Sequence, residues 1–485
     1  MDKPEYIVPQ EGNSGNYNNT TTTDAEVPTK TTSGGIPIEE LIKDPKLINK
    51  RVWQLAWPAM VELLLSTLFS MVDMIMVGRI SYQALTAVGL TNHPTMLALA
   101  VFQALNVGST ALVARFIGSG DIKNAKATVR QSMVLVTILG IVVSIAGYLL
   151  SPAIITFMRA EPDVYPMSVT YLQIVSLGWL FTTISLNVGA TLRGSADTMT
   201  PMRYNLLSNL LNVVGNYVLI FGKFGFPAMG VAGAALSTTL CRGVAAFLAL
   251  RAIFNKNKII GVSLKDDYRI DKNLLERLIS IGLPSAMEQF LLRLGQVFFS
   301  RAVAGLGTAV YAAHQTAVNI SSLTFTPGQA FGMAATTMVG QSLGAKHPDV
   351  AEKAGLAARR MGLIIAFAIA IVLFFFGYDV ALLYTDEPEV ARAAANALKI
   401  LAIMQPMQST QFILAGALRG AGDTRWPLYS TAIGIWGIRV VLVHVFIAMG
   451  MGLMGAWVAQ LCDQAFRAVF IYSRYKSGAW KHTRV

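Results

Sequence analysis

Four ionisable side chains, Glu62, Asp73, Glu288 and Arg293, lie inside long apolar stretches of the chain. A charged group at membrane depth must find a partner or a watery cavity, so each is a functional candidate. Glu62 follows Pro58 by four residues, and Glu288 follows Pro284 by four. A proline inside a span removes a backbone hydrogen bond and bends the helix, which frees carbonyls that bind water or a cation. The two glutamates read as proton-responsive groups lining a cavity, because burial favours the neutral form and ties proton uptake to the side on which the cavity opens. For Glu288 the alternative is neutralisation by nearby Arg293, which would make it a fastening between helices. Asp73 comes eleven residues after Glu62, about 16 Å along at the helical rise. Eleven residues is close to three turns, so both acids face one side. The position of Asp73 just before MIMVGR also admits a place near the outer interface.

Polar and soft side chains extend this chemistry. Asn205, Asn209, Asn212 and Asn216 recur at near-helical spacing in NLLSNLLNVVGNYVLIFG. An amide there serves either a bound ion through its oxygen or a neighbouring helix through both ends. Gln289 and Arg293, with Gln405, Gln408 and Gln411, continue the polar lining in the second half. Met60, Met71, Met74, Phe290, Met404, Met407 and Phe412 offer an adaptable wall for flat organic molecules, since Met fills irregular space and aromatic faces attract cations. Singly, each of these reads as packing or lipid contact. Arg242, Arg439, His444, Asp463 and Arg467 are read as pairing among themselves.

The elements that position these residues are membrane spans. Of 485 residues, 54% are hydrophobic and only 14% charged, with a mean hydropathy of +0.51. That composition excludes an ordinary soluble chain. Apolar runs long enough to cross the hydrocarbon fall near 53–77, 92–116, 131–157, 166–190, 203–222 and 229–254, then near 275–303, 315–340, 358–383, 391–417, 428–449 and 452–474. The expected architecture is an all-α polytopic membrane protein of twelve transmembrane helices. The 41 glycines suit close helix contacts in lipid.

The twelve runs form two copies of six. LRGSADTMTP at 192–201 and LRGAGDTRWP at 418–427 stand 226 residues apart, and the same offset pairs Pro58 with Pro284, Glu62 with Glu288, Val113 with Val339 and Gly118 with Gly344. A shared register over such separated landmarks marks a duplicated unit. Near the end the offset falls to 222, pairing Gly230 with Gly452 and Gly233 with Gly455, which a short deletion explains. An even number of spans per copy makes both copies enter the membrane in one direction, related by an axis along its normal. Two pseudo-symmetric six-helix lobes follow. The turns repeat Arg193 with Asp197 and Arg419 with Asp423, i,i+4 pairs able to lock a turn or cap the next helix.

The expected division is a disordered cytoplasmic tail at 1–45, a first lobe at 46–254, a cytoplasmic linker at 255–274, a second lobe at 275–474 and a cytoplasmic tail at 475–485. The tail lacks the apolar content of a core. It carries no basic-then-apolar leader, so the first apolar run must both target and span. The sequons NNT and NTT in this tail carry little weight. Lys and Arg crowd one set of loops: Lys46, Lys50 and Arg51, then Lys123, Lys126 and Arg130, the linker, Lys346 to Arg360, and the C-terminal end. The opposite loops hold few. Both termini are therefore expected in the cytoplasm, with the chain in the plasma membrane. The net charge of +12 reads as this topology signal, and no nucleic-acid partner is expected. Cys241 and Cys462 form no ligand spacing, so neither a disulfide nor a metal site is expected. No nucleotide-binding or metalloprotease motif stands in a suitable context. The chain reads as a non-enzyme without a cofactor, driven by an ion gradient.

At residues 45–474 the chain resembles the multidrug and toxic compound extrusion (MATE) family. The resemblance rests on Pro58 through SMVDMIMVG, the VARFIGSGD turn, the two LRGxxDTxxP motifs, NVVGNYVLIFG and MGVAGAALST. It implies two six-helix lobes in an outward-opening V and export of cationic or amphipathic compounds in exchange for H+ or Na+. It also implies that Asp73 is the family's first-helix carboxylate, implicated in cation coupling. Two departures bear on that. One subgroup has Asn-x-x-x-Asp in the fifth helix, where this chain has Asn212 and Asn216, and an amide takes up no proton. Another uses acids in the seventh and tenth helices, where this chain has Glu288 and glutamines. Coupling is accordingly expected at Glu62, Asp73 and Glu288. The expected partners are an organic cation or amphipathic drug-like substrate and membrane lipid, with a monomer sufficient. The alternative is a flippase or exporter of a lipid-linked or peptide substrate, which calls for a larger, more basic cavity. A receptor or scaffold explains neither the repeat nor the buried acids.

Overall fold

Each expected apolar run falls on one helix or on two consecutive helical segments, to within a residue at its ends. The computed structural model describes residues 40, 41 and 44–483, so the N-terminal tail with its sequons lies outside the described residues except for its last few. Among the described residues there is no strand. The first lobe contains α1 (Pro45–Gly78), α2 (Tyr82–Ser119), α3 (Ile122–Phe157), α4 (Tyr165–Leu177 and Trp179–Gly194, bent by 43° at Gly178), α5 (Met199–Phe221) and α6 (Gly230–Ile253). The second contains α7 (Lys272–Ala304), α8 (Thr308–Thr324 and Thr326–Gly344, meeting at Phe325), α9 (Pro348–Leu382), α10 (Pro388–Gly420), α11 and α12 (Gly452–Lys476). Helix α11 runs from Arg425 to Ala448 through a π-helical stretch, Ala432–Arg439. Helices α1 and α7 stay continuous through Pro58 and Pro284.

By length and hydropathy alone six helices qualify as membrane spans, and seven with the bent α4. The remaining five, α5, α7, α8, α10 and α12, carry the amides and charges considered below. Polar groups that are satisfied inside the bundle lower a helix's hydropathy without exposing it to lipid.

The lobes meet at the face that bears the start of α1, the end of α12 and the basic loops after α2, α6 and α8. There α2 and α8 cross so closely that a side chain on Gly118 would run into the Gln341 carbonyl, and one on Gly344 into the Arg115 carbonyl. These are the same contact seen twice, once from each copy. Small residues permit such backbone approach in lipid. Beside the crossing, Val52, Leu55 and Ala56 of α1 join Phe331, Ala334, Ala335 and Met338 of α8 in one buried cluster. On the other side Ala111 and Leu112 of α2 pack on Leu278 and Ile281 of α7. Two hydrogen bonds also cross the seam: Thr337 Oγ1 donates to the Arg193 carbonyl at 2.9 Å, and Gln341 Nε2 to the Gly194 carbonyl at 3.0 Å. The C-terminal segment adds a strap. Trp480 is buried and stacks on Tyr475 at 4.8 Å, and Arg115 of α2 donates to the Thr483 carbonyl at 3.4 Å.

The connection between lobes, residues 254–271, is ordered against the first lobe. Ile260 and Val262 are buried with Val113, Ile117 and Val129. Arg130 pairs with Asp266 at 3.3 Å. The Asp266 carboxyl is held below its usual range, first by the Ser263 backbone N–H and then, against some desolvation, by Arg130.

Candidate functional site

Helices α1 and α5 run parallel, so one register places both first-helix acids against the asparagine face. Glu62 accepts from Asn205 Nδ2 at 2.7 Å, and Asp73 accepts from Asn216 Nδ2 at 2.7 Å. Glu62 and Asp73 thus face the same neighbour, as their spacing predicts. Asn209, half-buried, lies between the two contacts in sequence. Asn212 is buried at Asp73. With its amide turned so that nitrogen faces the carboxylate, it donates to both Asp73 oxygens at 3.0 Å and accepts from Ser237 Oγ and Thr238 N; the hydrogen-bond network selects that orientation. Arg242 of α6 acts on Asp73 through space without a direct ion pair. The Asn216 Oδ1 atom is buried and accepts no hydrogen bond. Asp73 is therefore a carboxylate held by neutral amides, beside an unused acceptor oxygen.

Glu62 has a second partner, Arg193 Nη1 at 3.5 Å. The second copy repeats the arrangement more tightly. Arg419 Nη2 donates to both oxygens of Glu288 at 2.7 and 2.9 Å, and Thr431 Oγ1 to Oε1 at 3.4 Å. Arg419 and Thr431 occupy the positions that Arg193 and Asn205 hold in the first copy. Each LRG turn thus sends its arginine to the glutamate of its lobe's first helix.

Several expectations need correction. The i,i+4 pairs at the turns do not form, because a helical arginine at the end of α4 or α10 points into its lobe rather than along the turn. Asp197 instead accepts from Thr200 N and Thr200 Oγ1 and from Lys258, and Asp423 from Arg474 at 2.8 Å. Burial raises the Asp423 carboxyl above its usual range, with Arg474 and Arg425 pulling it down. Arg293 does not neutralise Glu288; it donates to Gln296 Oε1 at 3.3 Å. Gln405, Gln408 and Gln411 are all buried in the second lobe. Gln405 donates to Thr324 at 2.6 Å, and with Gln408 it lines a small cavity among α8, α9 and α10 rather than the seam between lobes. Met404 is fully buried, whereas Met60 and Met407 are half-buried and Phe290 is 53% exposed. Gln289 is half-buried.

Of the remaining charges, Arg439 and Asp463 pair as expected, through Nε at 2.9 Å. Arg467 turns to Thr431 at 2.8 Å, which links this pair's neighbourhood to Glu288. His444 bonds the Val440 carbonyl of its own helix. Arg242 belongs with Asp73 and not with this group. Asp73 itself has no acidic counterpart, since the second copy places Phe299 there.

Sequence reasoning missed two features. Fully buried Asn187 joins α2, α3 and α4 through Asn106, Ser109 and Ser132. Thr337 and Gln341 form the seam bonds. A lone amide or hydroxyl in an apolar run carries no signal of which carbonyl it will reach. Among the described residues no cluster of His, Cys, Asp or Glu has the makings of a metal site.

A model of the MatE family matches residues 58–218 and 284–445, one segment in each lobe. The chain is 30% identical over 450 residues to a probable multidrug resistance protein NorM of Thermotoga maritima, spanning 90% of this chain and 94% of the relative. It is 31% identical over 393 residues to multidrug resistance protein PmpM of Pseudomonas aeruginosa, spanning 80% and 82%. A MOP superfamily transporter from Pyrococcus furiosus superposes with a TM-score of 0.84 at 24% identity, over 90% of this chain and 97% of that one. An outward-facing multidrug resistance MATE family transporter superposes equally well, with a TM-score of 0.84 at 23% identity over 90% and 97%. At such identity the likeness shows the fold.

Proposed function

Because the chain belongs to the MatE family of multidrug and toxic compound extrusion transporters, we propose that it exports cationic or amphipathic organic compounds by alternating access, in exchange for H+ or Na+. The observation that carries this reading is the contrast among three acids. Glu62 and Glu288 are each engaged by an arginine, whereas Asp73 is held by the amides of Asn212 and Asn216. An ionised carboxylate accepts from both amides and attracts a cation. Once it takes a proton it must donate to one neighbour, and Asn216, whose Oδ1 is unpartnered, can accept that bond when its amide turns over. Sodium would use the same two oxygens. Either event changes how α5 sits on α1, and so alters the seam beside it. Coupling thus rests on Asp73, while Glu62 and Glu288, expected as coupling acids, each fasten the first helix of their own lobe to its LRG turn.

In this reading both termini face the cytoplasm, as the positive-inside bias of the basic loops favours, and the cleft opens to the outside of the plasma membrane. Residues 46–254 and 275–474 move as the two lobes. A monomer suffices, and no cofactor or catalysis is involved. A flippase for lipid-linked or peptide cargo is the second reading; it needs an extended basic lining, toward which the middle of α7 contributes Arg293.

Uptake of a fluorescent organic cation into liposomes, with pH and Na+ gradients imposed separately, tests the proposal. Asp73→Asn should lose transport driven by either gradient, while Glu62→Gln and Glu288→Gln keep the wild-type ion dependence. Full gradient-driven transport by Asp73→Asn removes the assignment.

A further inference from the structure

Around α7 the side chains change character with height. Leu278 and Gly282 are buried at the closed end, where the Leu278 carbonyl lies 2.6 Å from the place a side chain on Gly108 of α2 would occupy. The same stripe, followed upward at helical spacing, reads Gln289, Arg293, Gln296 and Ser300. These residues are half-buried or exposed, in contrast to Leu278 and Gly282. Helices α2 and α7 are antiparallel, and Arg293 stands as many residues above Leu278 as His93 does above Gly108. At that height α2 exposes His93 and Met96.

Arg293 has no acidic partner among the described residues; its one hydrogen bond goes to the neutral Gln296. In the same lobe Arg419 and Arg439 each meet a carboxylate, and Arg467 donates to Thr431 beside them. The first copy has Thr67 at the equivalent place, so the repeat does not require a charge there. A guanidinium at membrane depth does not rest against hydrocarbon. Resting on the export reading, we propose that Arg293, steadied by Gln296, is the specificity-determining contact for a carboxylate carried beside an apolar body on the substrate. The planar guanidinium binds both oxygens of a carboxylate. Phe290, one turn below and 53% exposed, meets the apolar body.

The test uses tetramethylrhodamine with a free carboxylate and its methyl ester, which differ by that negative charge and one methyl group. Fluorescence anisotropy of the purified full chain in detergent gives binding of each. Arg293→Gln should weaken the free-acid form about ten- to hundredfold, the range of one charge-assisted contact, and leave the ester unchanged. Arg293→Lys should retain an intermediate preference. Ester binding serves as the control for folding. Equal weakening of both dyes, no weakening of either, or no binding of the free acid by the wild type would overturn the proposal. Liposome transport is read separately: a protein that binds both dyes and moves neither defeats the export reading, while the binding contrast still decides the role of Arg293.

Discussion

The two Glu–Arg pairs are the same design executed at different depths, and removing the arginine from each should cost different amounts. Arg419→Met strands a carboxylate that is 1% exposed. Both its ionic hydrogen bonds go, at 2.7 and 2.9 Å, leaving Thr431 at 3.4 Å. Breaking a buried pair from one side costs about 3–5 kcal/mol. In the first lobe the side chains of Glu62 and Arg193 are each 14% exposed and 3.5 Å apart, and Asn205 at 2.7 Å remains after Arg193→Met. The loss there should be about 1–2 kcal/mol, at the low end for a charged hydrogen bond because the contact is long at 3.5 Å. At roughly 2 °C per kcal/mol for a large chain, the apparent Tm should fall roughly 6–10 °C for Arg419→Met and roughly 2–4 °C for Arg193→Met. A thiol-reactive dye reports the transition, since Cys241 is buried and free. Adding Glu288→Gln to Arg419→Met should recover most of the loss, because the stranded charge disappears. Equal falls, a larger fall for Arg193→Met, or no recovery would refute the reasoning.

Two further outcomes follow from the seam and the turns. Thr337→Val with Gln341→Ala removes both hydrogen bonds across the closed face, so cysteine pairs placed over that face should crosslink less and become more accessible to water-soluble thiol reagents; unchanged accessibility would show that packing alone closes the seam. Ala196 has φ of 66°, where the second copy has Gly422 at 84°. Ala196→Gly relieves a left-handed strain of about 1 kcal/mol and should raise the apparent Tm, and a fall would place the turn's stability elsewhere.

The helices and their duplication are legible in the sequence because both leave periodic traces: a run of apolar residues must span the bilayer, and a copied unit keeps its prolines and glycines in register. The site is legible only where the partner is local or repeats. Asp73 and Glu62 fall on one face because eleven residues make about three turns, and the four asparagines share a helix. Arg193 and Arg419 are harder. Their nearest acids in sequence, Asp197 and Asp423, are engaged elsewhere, and their true partners lie on another helix. Yet the separation from Glu62 to Arg193 recurs from Glu288 to Arg419, a trace the i,i+4 reading passes over. The glutamines of α10 give no such trace. That helix is buried along most of its length, so no apolar stripe marks the side on which Gln405 and Gln408 turn away from the seam.

The crossing of α2 and α8 has a further consequence. Gly118 meets the carbonyl of residue 341 and Gly344 meets that of residue 115, so residue and counterpart exchange roles across the contact. That reciprocity is the signature of an isologous interface between two identical chains. The surface on which the two lobes meet is one that a half-length ancestor, pairing with itself in parallel orientation, would already have possessed. Fusion then freed each half to diverge, with an acid at Asp73 in one and an aromatic ring at Phe299 in the other.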